Sequence, residues 1–222
     1  IATFFLIEPH IDSVKFSFNG FISQTTQGLK ELFKTSRVKR QTIMLLFVGF
    51  FIVIASEMLN SFLAVDFGFS AGGLGILWSA IMIISAIASQ LTPILKKIIK
   101  PNLLIILIGT IVAITFLVSP IIGIVLGGIS ITLRSSFEGI FGNLASITIN
   151  ENTDSKFRAT TLSTFNMLKN IPYVLSAYFI GSISDKLSSK TTAMYLGVLL
   201  LIFLFVQLFF TRKNKNEEIV MH

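Results

Sequence analysis

Residues 158–185 read RATTLSTFNMLKNIPYVLSAYFIGSISD, a stretch long and apolar enough to cross a lipid bilayer. A lysine, Lys169, lies near its middle. At helical spacing the stretch carries a polar stripe, because the offsets of three and four place one set of side chains on one face: Ser163, Asn166, Lys169, Asn170, Tyr173 and Ser176. A spanning helix with a charge on one stripe must turn that stripe towards protein or water.

The composition of the whole chain is that of a polytopic membrane protein. Its 222 residues are 53% hydrophobic and 13% charged, whereas soluble domains carry about 25% charged residues. The chain has no cysteine, and both histidines, His10 and His222, lie outside the apolar blocks. We therefore expect no thiolate or histidine metal site, no cofactor and no catalytic dyad within the membrane. A phosphate-binding loop is also absent, so neither ATP-driven pumping nor another enzymatic activity is expected.

Six apolar segments predict an all-α bundle of six transmembrane helices within residues 42–211. Residues 1–7 are predicted to be the tail of a preceding transmembrane helix, and residues 212–222 a cytoplasmic tail. Residues 8–41 are predicted to form a cytoplasmic central loop, in which Leu29, Leu32 and Phe33 favour a short interfacial helix over a solvated linker. The predicted spans are approximately 43–65, 74–95, 103–119, 121–145, 159–183 and 192–210.

The distribution of positive charge predicts the orientation of these spans. Net charge is +7, and most Lys and Arg residues lie in alternate connections, at the ends of apolar blocks. Membrane topology explains this pattern better than nucleic-acid binding does. The basic connections should face the cytoplasm, which places both ends of the segment there, with Lys186 and Lys190 as a mild exception. We expect a multi-pass protein of the plasma membrane, specifically a bacterial inner membrane.

The spans repeat with a period of three. The third and sixth carry no charge, whereas the first, fourth and fifth carry the ionisable groups. This pattern predicts two three-helix units, with the third helix of each unit outside and the others lining a polar region.

Four ionisable residues are the candidates for transport or proton coupling: Glu57, Arg134, Glu138 and Lys169. At a rise of about 1.5 Å per residue, Lys169 lies roughly 15 Å from the cytoplasmic surface, near the midplane. Intramembrane charges are costly, so Glu57 is a candidate proton or ligand carboxylate, with Lys169 and Arg134 as counter-charges or anion contacts. Alternatively the charges form structural salt bridges, between Arg134 and Glu138 at i, i+4 or from Lys169 to Glu138 or Glu57.

Uncharged polar residues on the same spans are expected to line the cavity. These candidates are Asn60, Ser130, Asn166, Asn170 and Tyr173. Pro172, one turn beyond Lys169, removes a backbone hydrogen bond within the fifth span and favours a kink there.

Three stretches together resemble the carboxy-terminal half of the major facilitator superfamily. RATTLS at 158–163, with Gly181 and Asp185 downstream, is similar to that family's loop and helix eleven. FGFSAGGLGILWSAIMIISAIASQ at 67–90 is similar to its loop seven and helix eight, and Glu8-Pro9 to the end of its helix six. LKKIIKPN at 95–102 departs from the family because it lacks the glycine–aspartate pattern of equivalent loops.

The resemblance implies about twelve helices in two six-helix bundles around a central cavity. The first and fourth spans would line that cavity, and the second and fifth would face the other bundle. The expected function is proton-coupled secondary transport of a small molecule by alternating access, with efflux of drugs or amphiphiles as the favoured direction. Its partners would be the bilayer, the substrate, protons and the amino-terminal half. The alternative is a non-transporting membrane protein (an assembly factor, sensor or truncated half-transporter) whose buried charges are structural.

Overall fold

The computed structural model describes the backbone of residues 17–220 and the side chains of residues 17–208. Within that range the chain is all-helical, as predicted. The proposed helix tail at 1–7, the Glu8-Pro9 pair and the last two residues lie outside the described residues. The helices are α1 (Phe18–Leu32), α2 (Ser36–Ile54), α3 (Asn60–Asp66), α4 (Ala71–Gln90), α5 (Thr92–Ile98), α6 (Pro101–Leu117), α7 (Ile124–Glu151), α8 (Arg158–Leu187) and α9 (Ser189–Val220).

Four continuous helical segments of the described chain are long and apolar enough to cross a membrane. A fifth is possible if α5 and α6, which meet at a bend of 117°, count as one broken span. Helix α8 has 30 residues, about 45 Å at 1.5 Å per residue, but its polar stripe keeps it out of this apolar group. The four segments are Ser36–Asp66, Ala71–Gln90, Ile124–Glu151 and Ser189–Leu208.

Several helix boundaries differ from those predicted. The segment predicted at 74–95 is split at Leu91, because Pro93 lacks an N–H and occupies the first turn of the separate helix α5. Helix α7 begins at Ile124, after an extended Gly123, and continues past residue 145 to Glu151. There Glu151 forms an ion pair with Lys96. The backbone of α9 remains helical to Val220, through most of the predicted tail.

Helix α1 begins at Phe18, well before the predicted amphipathic stretch. The Ser17 hydroxyl accepts a hydrogen bond from the Gly20 N–H and caps its first turn. The helix packs against α8, where Gly28 faces Thr164 so closely that a Cβ at residue 28 would lie 2.3 Å from the threonine Oγ1. Leu32 is buried, so the carboxy-terminal end of α1 is part of the bundle.

The long helices pair in a two-fold pattern. Helix α6 packs against α9, α4 packs against α7, and α2 packs against α8. If α2 with α3, α4 and α6 are exchanged for α7, α8 and α9 respectively, the three pairs are exchanged among themselves. The α6–α9 crossing is close at Gly197, where a Cβ would lie 2.8 Å from the Ala113 carbonyl oxygen.

A single residue, Ser188, connects α8 to α9. Its φ of 87° lies in a region that non-glycine residues rarely adopt. Its hydroxyl accepts a hydrogen bond from the Thr191 N–H at 3.3 Å, which caps the start of α9. A second hydrogen bond forms at the start of α9, where the Ser189 N–H donates to the carboxylate of Asp66, at the end of α3, at 2.9 Å. The end of the first span is thereby attached to the start of the last.

Candidate functional site

A π-helical turn, Ala55–Leu59, joins α2 to α3 without interrupting the span. The Asn60 N–H donates to the Ala55 carbonyl, five residues back, which is the hydrogen-bond pattern of a π-helix. Such turns occur often at functional sites because the extra residue changes which side chains face inward. Here Asn60 is buried, at 1% exposure, while Glu57 lies on the exposed side of the span.

Three of the four predicted ionisable residues meet beside this turn. Glu138 on α7 lies within electrostatic range of both Lys169 on α8 and Glu57. The Ser56 hydroxyl, next to Glu57, donates to the Ile52 and Val53 carbonyls at 3.1 and 3.3 Å. Glu138 and Lys169 are half-buried. We call Ser56, Glu57, Glu138 and Lys169 the polar cluster; it lies where α2, α7 and α8 converge.

A glycine on α2 makes room for the Lys169 side chain. A Cβ at Gly49 would lie 2.9 Å from both Cγ and Cδ of Lys169, and 3.2 Å from Cε1 of Phe141. Real Cβ atoms do not approach this closely, so a side chain at residue 49 would displace the lysine stem. The apolar stem of Lys169 therefore lies against α2 at Gly49.

Arg134 lies apart from the cluster, within the bundle at 2% exposure. Its Nε donates to Asn60 Oδ1 at 2.8 Å, and Nη1 makes longer bonds of 3.4 Å to the Thr115 carbonyl and 3.5 Å to Ser130 Oγ. The guanidinium carbon lies 5.1 Å from the centre of the Phe116 ring. Nη2 has no hydrogen-bond partner in the described chain. Arg134 therefore joins α3, α6 and α7 through neutral acceptors alone.

The salt bridges considered as an alternative are not formed. Among the described side chains, Arg134 makes no ion pair with Glu138, and Lys169 makes none within 4.0 Å of either glutamate. The ion pairs present there lie at helix ends, and they are Lys34–Glu31, Lys34–Asp154 and Lys96–Glu151. The polar cluster is therefore not locked by direct charge pairing.

The predicted cavity-lining residues separate into two groups. Asn60 and Ser130 are buried and contact Arg134, so they belong to the interior of the bundle. Asn166 and Asn170 are exposed on the outer side of α8, where the Asn170 amide donates to the Asn166 carbonyl at 2.8 Å. Tyr173, further along the same helix, is half-buried.

Several site residues were not identified from the sequence. Gly49 is an isolated glycine within an apolar span, and such a glycine can indicate a close helix approach. Ser56 adjoins Glu57, but no sequence pattern reveals the π-turn that orients it. Thr115 contributes only its backbone carbonyl to Arg134, a role that any residue type could fill.

The chemistry open to the cluster is electrostatic. Two carboxylates and one ammonium carry an excess of one negative charge when all are ionised, so a proton or a cation can neutralise it. No group of three or more His, Cys, Asp or Glu side chains suited to a metal ion occurs in the described part of the chain.

The chain matches no model of a known protein family, and a comparison with curated proteins finds no match either. Fold and composition define its class: a multi-pass, all-helical membrane protein.

Proposed function

We propose that the protein is a secondary transporter that moves a small molecule by alternating access, coupled to protons. One observation carries the proposal: Glu57 beside the π-turn and Lys169 on α8 both lie within electrostatic range of Glu138 on α7, and none of the three forms an ion pair with a described side chain. Ionisable groups within membrane helices are costly and usually mark ion or substrate pathways.

The unpaired state of the cluster suits reversible binding. A salt bridge under 4 Å would have to be broken each time a proton or cation entered, whereas here Lys169 acts on Glu138 only at longer range. The exposed Glu57 gives an incoming cation access, and the half-buried Glu138 is shielded from water. Protonation of one carboxylate would remove the excess negative charge, which links proton uptake to release of a cationic amphiphile.

We further propose that this chain is the carboxy-terminal bundle of a major-facilitator-type transporter with six spans. The two-fold pairing of the helices supports two three-helix units, with α5 and α6 as the third span and α8 as the fifth. The exposed side of α8, which carries Asn166 and Asn170, would meet the amino-terminal half. Helix α4 buries only Leu77 and Ile81, which leaves most of its surface for the same partner. Both ends would lie in the cytoplasm of a bacterial cell, with the bundle in its inner membrane.

A structural role for the charges finds support at Arg134 alone. That residue is enclosed by hydrogen-bond acceptors from three helices, as expected of a packing element. The polar cluster has no comparable set of direct bonds. We therefore assign transport to the cluster and packing to Arg134.

A transport assay in everted membrane vesicles that contain the complete protein tests the proposal. It measures the proton-driven flux of ethidium, a fluorescent amphipathic cation. Glu57→Gln and Glu138→Gln should each reduce gradient-driven uptake at least tenfold at equal protein level, because each removes a proton-binding carboxylate. Asp185→Asn, which removes an exposed carboxylate near the end of α8, is the matched control and should leave uptake unchanged. Normal uptake by both glutamine variants would eliminate the cluster from the mechanism.

A further inference from the structure

A cavity of about 300 Å³ opens at one end of the bundle, between α2, α6 and α9. Arg37 and Arg40, in the first two turns of α2, and Asn102, in the first turn of α6, line its outer part. Met44 and Ile106 line it further along the same two helices. The cavity is therefore cationic and polar at one end and apolar towards the interior.

Among the side chains that the structure describes, none compensates the positive charge at the mouth of the cavity. Arg37 and Arg40 are three residues apart on α2, so they share a face. Neither arginine forms a hydrogen bond or an ion pair with a described residue, and the residues lining the cavity include no Asp or Glu. The amino-terminal ends of α2 and α6 also point towards this mouth, adding the positive ends of two helix dipoles.

Hydrogen bonds connect the uncharged polar side chains at the mouth of the cavity. The Gln41 side chain on α2 donates from Nε2 to the Asn102 Oδ1 on α6 at 2.9 Å. Asn152, beyond the end of α7, donates to the Gln41 Oε1 at 3.4 Å. These bonds hold the two helices at a fixed separation beside the arginines.

We propose that this cavity binds the headgroup of an anionic phospholipid, independently of any transport activity. The phosphate would lie between Arg37 and Arg40, since guanidinium groups bind phosphate oxygens in a bidentate manner. The acyl chains would follow the apolar inner part of the cavity and the exposed Leu103 and Leu107 of α6. A free phosphate ester has no chains to place there, so the apolar inner wall favours a lipid. Basic pockets between membrane helices are suited to anionic headgroups.

Native mass spectrometry tests this site by measuring lipid affinity. The purified full-length protein in detergent is titrated with phosphatidylglycerol or with phosphatidylcholine. Phosphatidylglycerol should bind at least tenfold more tightly than phosphatidylcholine. Each cationic side chain near an anionic headgroup contributes about fivefold, so the variant R37Q/R40Q should bind about thirtyfold more weakly. The matched control K39Q/K97Q removes two exposed charges that do not line the cavity, and should bind as the wild type does.

A second variant separates loss of charge from loss of fold. R37K/R40K keeps both charges and should lose no more than about fivefold in affinity, because only bidentate geometry is removed. Equal binding by R37Q/R40Q and the wild type, an equal loss in K39Q/K97Q, or equal affinity for phosphatidylcholine would each overturn the proposal. Displacement of the lipid by an equal concentration of glycerol phosphate would overturn the lipid assignment in favour of a free phosphate ester.

Discussion

Replacing Gly197 by alanine should force α9 away from α6 and destabilise the bundle. The new Cβ would lie 2.8 Å from the Ala113 carbonyl oxygen, 3.0 Å from the Leu117 nitrogen and 3.0 Å from the Phe116 Cβ. Ordinary carbon–oxygen contacts are about 3.3–3.6 Å, so the helices must separate by about half an ångström. Overpacking costs about 1–3 kcal/mol, and the upper value applies because two of the three atoms belong to backbone.

Alanine also favours the helical backbone by about 1 kcal/mol relative to glycine, which leaves a net loss of about 2 kcal/mol. Gly142 on α7 is the matched control, since nothing lies within 4 Å of its Cβ position, and its replacement should gain about 1 kcal/mol. Equilibrium unfolding in mixed SDS micelles, followed by circular dichroism, measures both free energies of unfolding. Stability changes of the same sign, or a difference below about 1 kcal/mol between the variants, would refute the close crossing of α6 and α9.

The remaining predictions concern charge, access and strain. Asn60→Leu should lower the free energy of unfolding by about 3 kcal/mol, because it leaves Arg134 without its shortest bond, and adding Arg134→Met should restore stability. If the double variant is less stable than Asn60→Leu alone, Arg134 has another important partner. Gly49→Ala should displace Lys169 and reduce ethidium flux severalfold at equal expression, a result that unchanged flux would contradict. Ser188→Gly should stabilise the protein by about 1 kcal/mol, because relief of the positive φ outweighs the loss of roughly a few tenths of a kcal/mol when glycine replaces serine as the cap. Ser188→Ala keeps the positive φ and loses the cap, so it should destabilise the protein. Thermal unfolding compares the two variants, and the opposite order would be inconsistent with this turn.

Hydrophobic periodicity and length predicted the helical class and the approximate positions of the apolar segments. These properties are local, because a run of apolar residues must be buried in protein or lipid wherever it folds. The break at Leu91 was harder to place, since Pro93 can either end a helix or begin one. Beyond residue 210 the predicted tail followed polarity, whereas the structure continues α9 to Val220. Polarity indicates where a span leaves the membrane but does not by itself end a helix.

The candidate site could be predicted as a set of residues but not as an arrangement. Glu57, Glu138 and Lys169 stood out because charge is rare in apolar helices. Their grouping depends on two features. The π-turn changes which side chains of the first span face inward, and Gly49 allows the Lys169 side chain of α8 to lie close to α2. The i, i+4 offset suggested an Arg134–Glu138 pair, yet Arg134 turns towards Asn60 on another span. Offsets along one helix describe possible neighbours and cannot rank them against partners from other helices.

The two-fold pairing of helices has a consequence for biosynthesis. Helices enter the membrane in chain order, but α4 packs mainly against α7, α6 against α9, and α2 against α8. Helices α2, α4 and α6 therefore lack their main packing partners until the later helices are synthesised. A chain that stops near residue 120 would lack those partners and should be degraded as an incomplete product. We therefore expect the two halves of this bundle to depend on each other for folding.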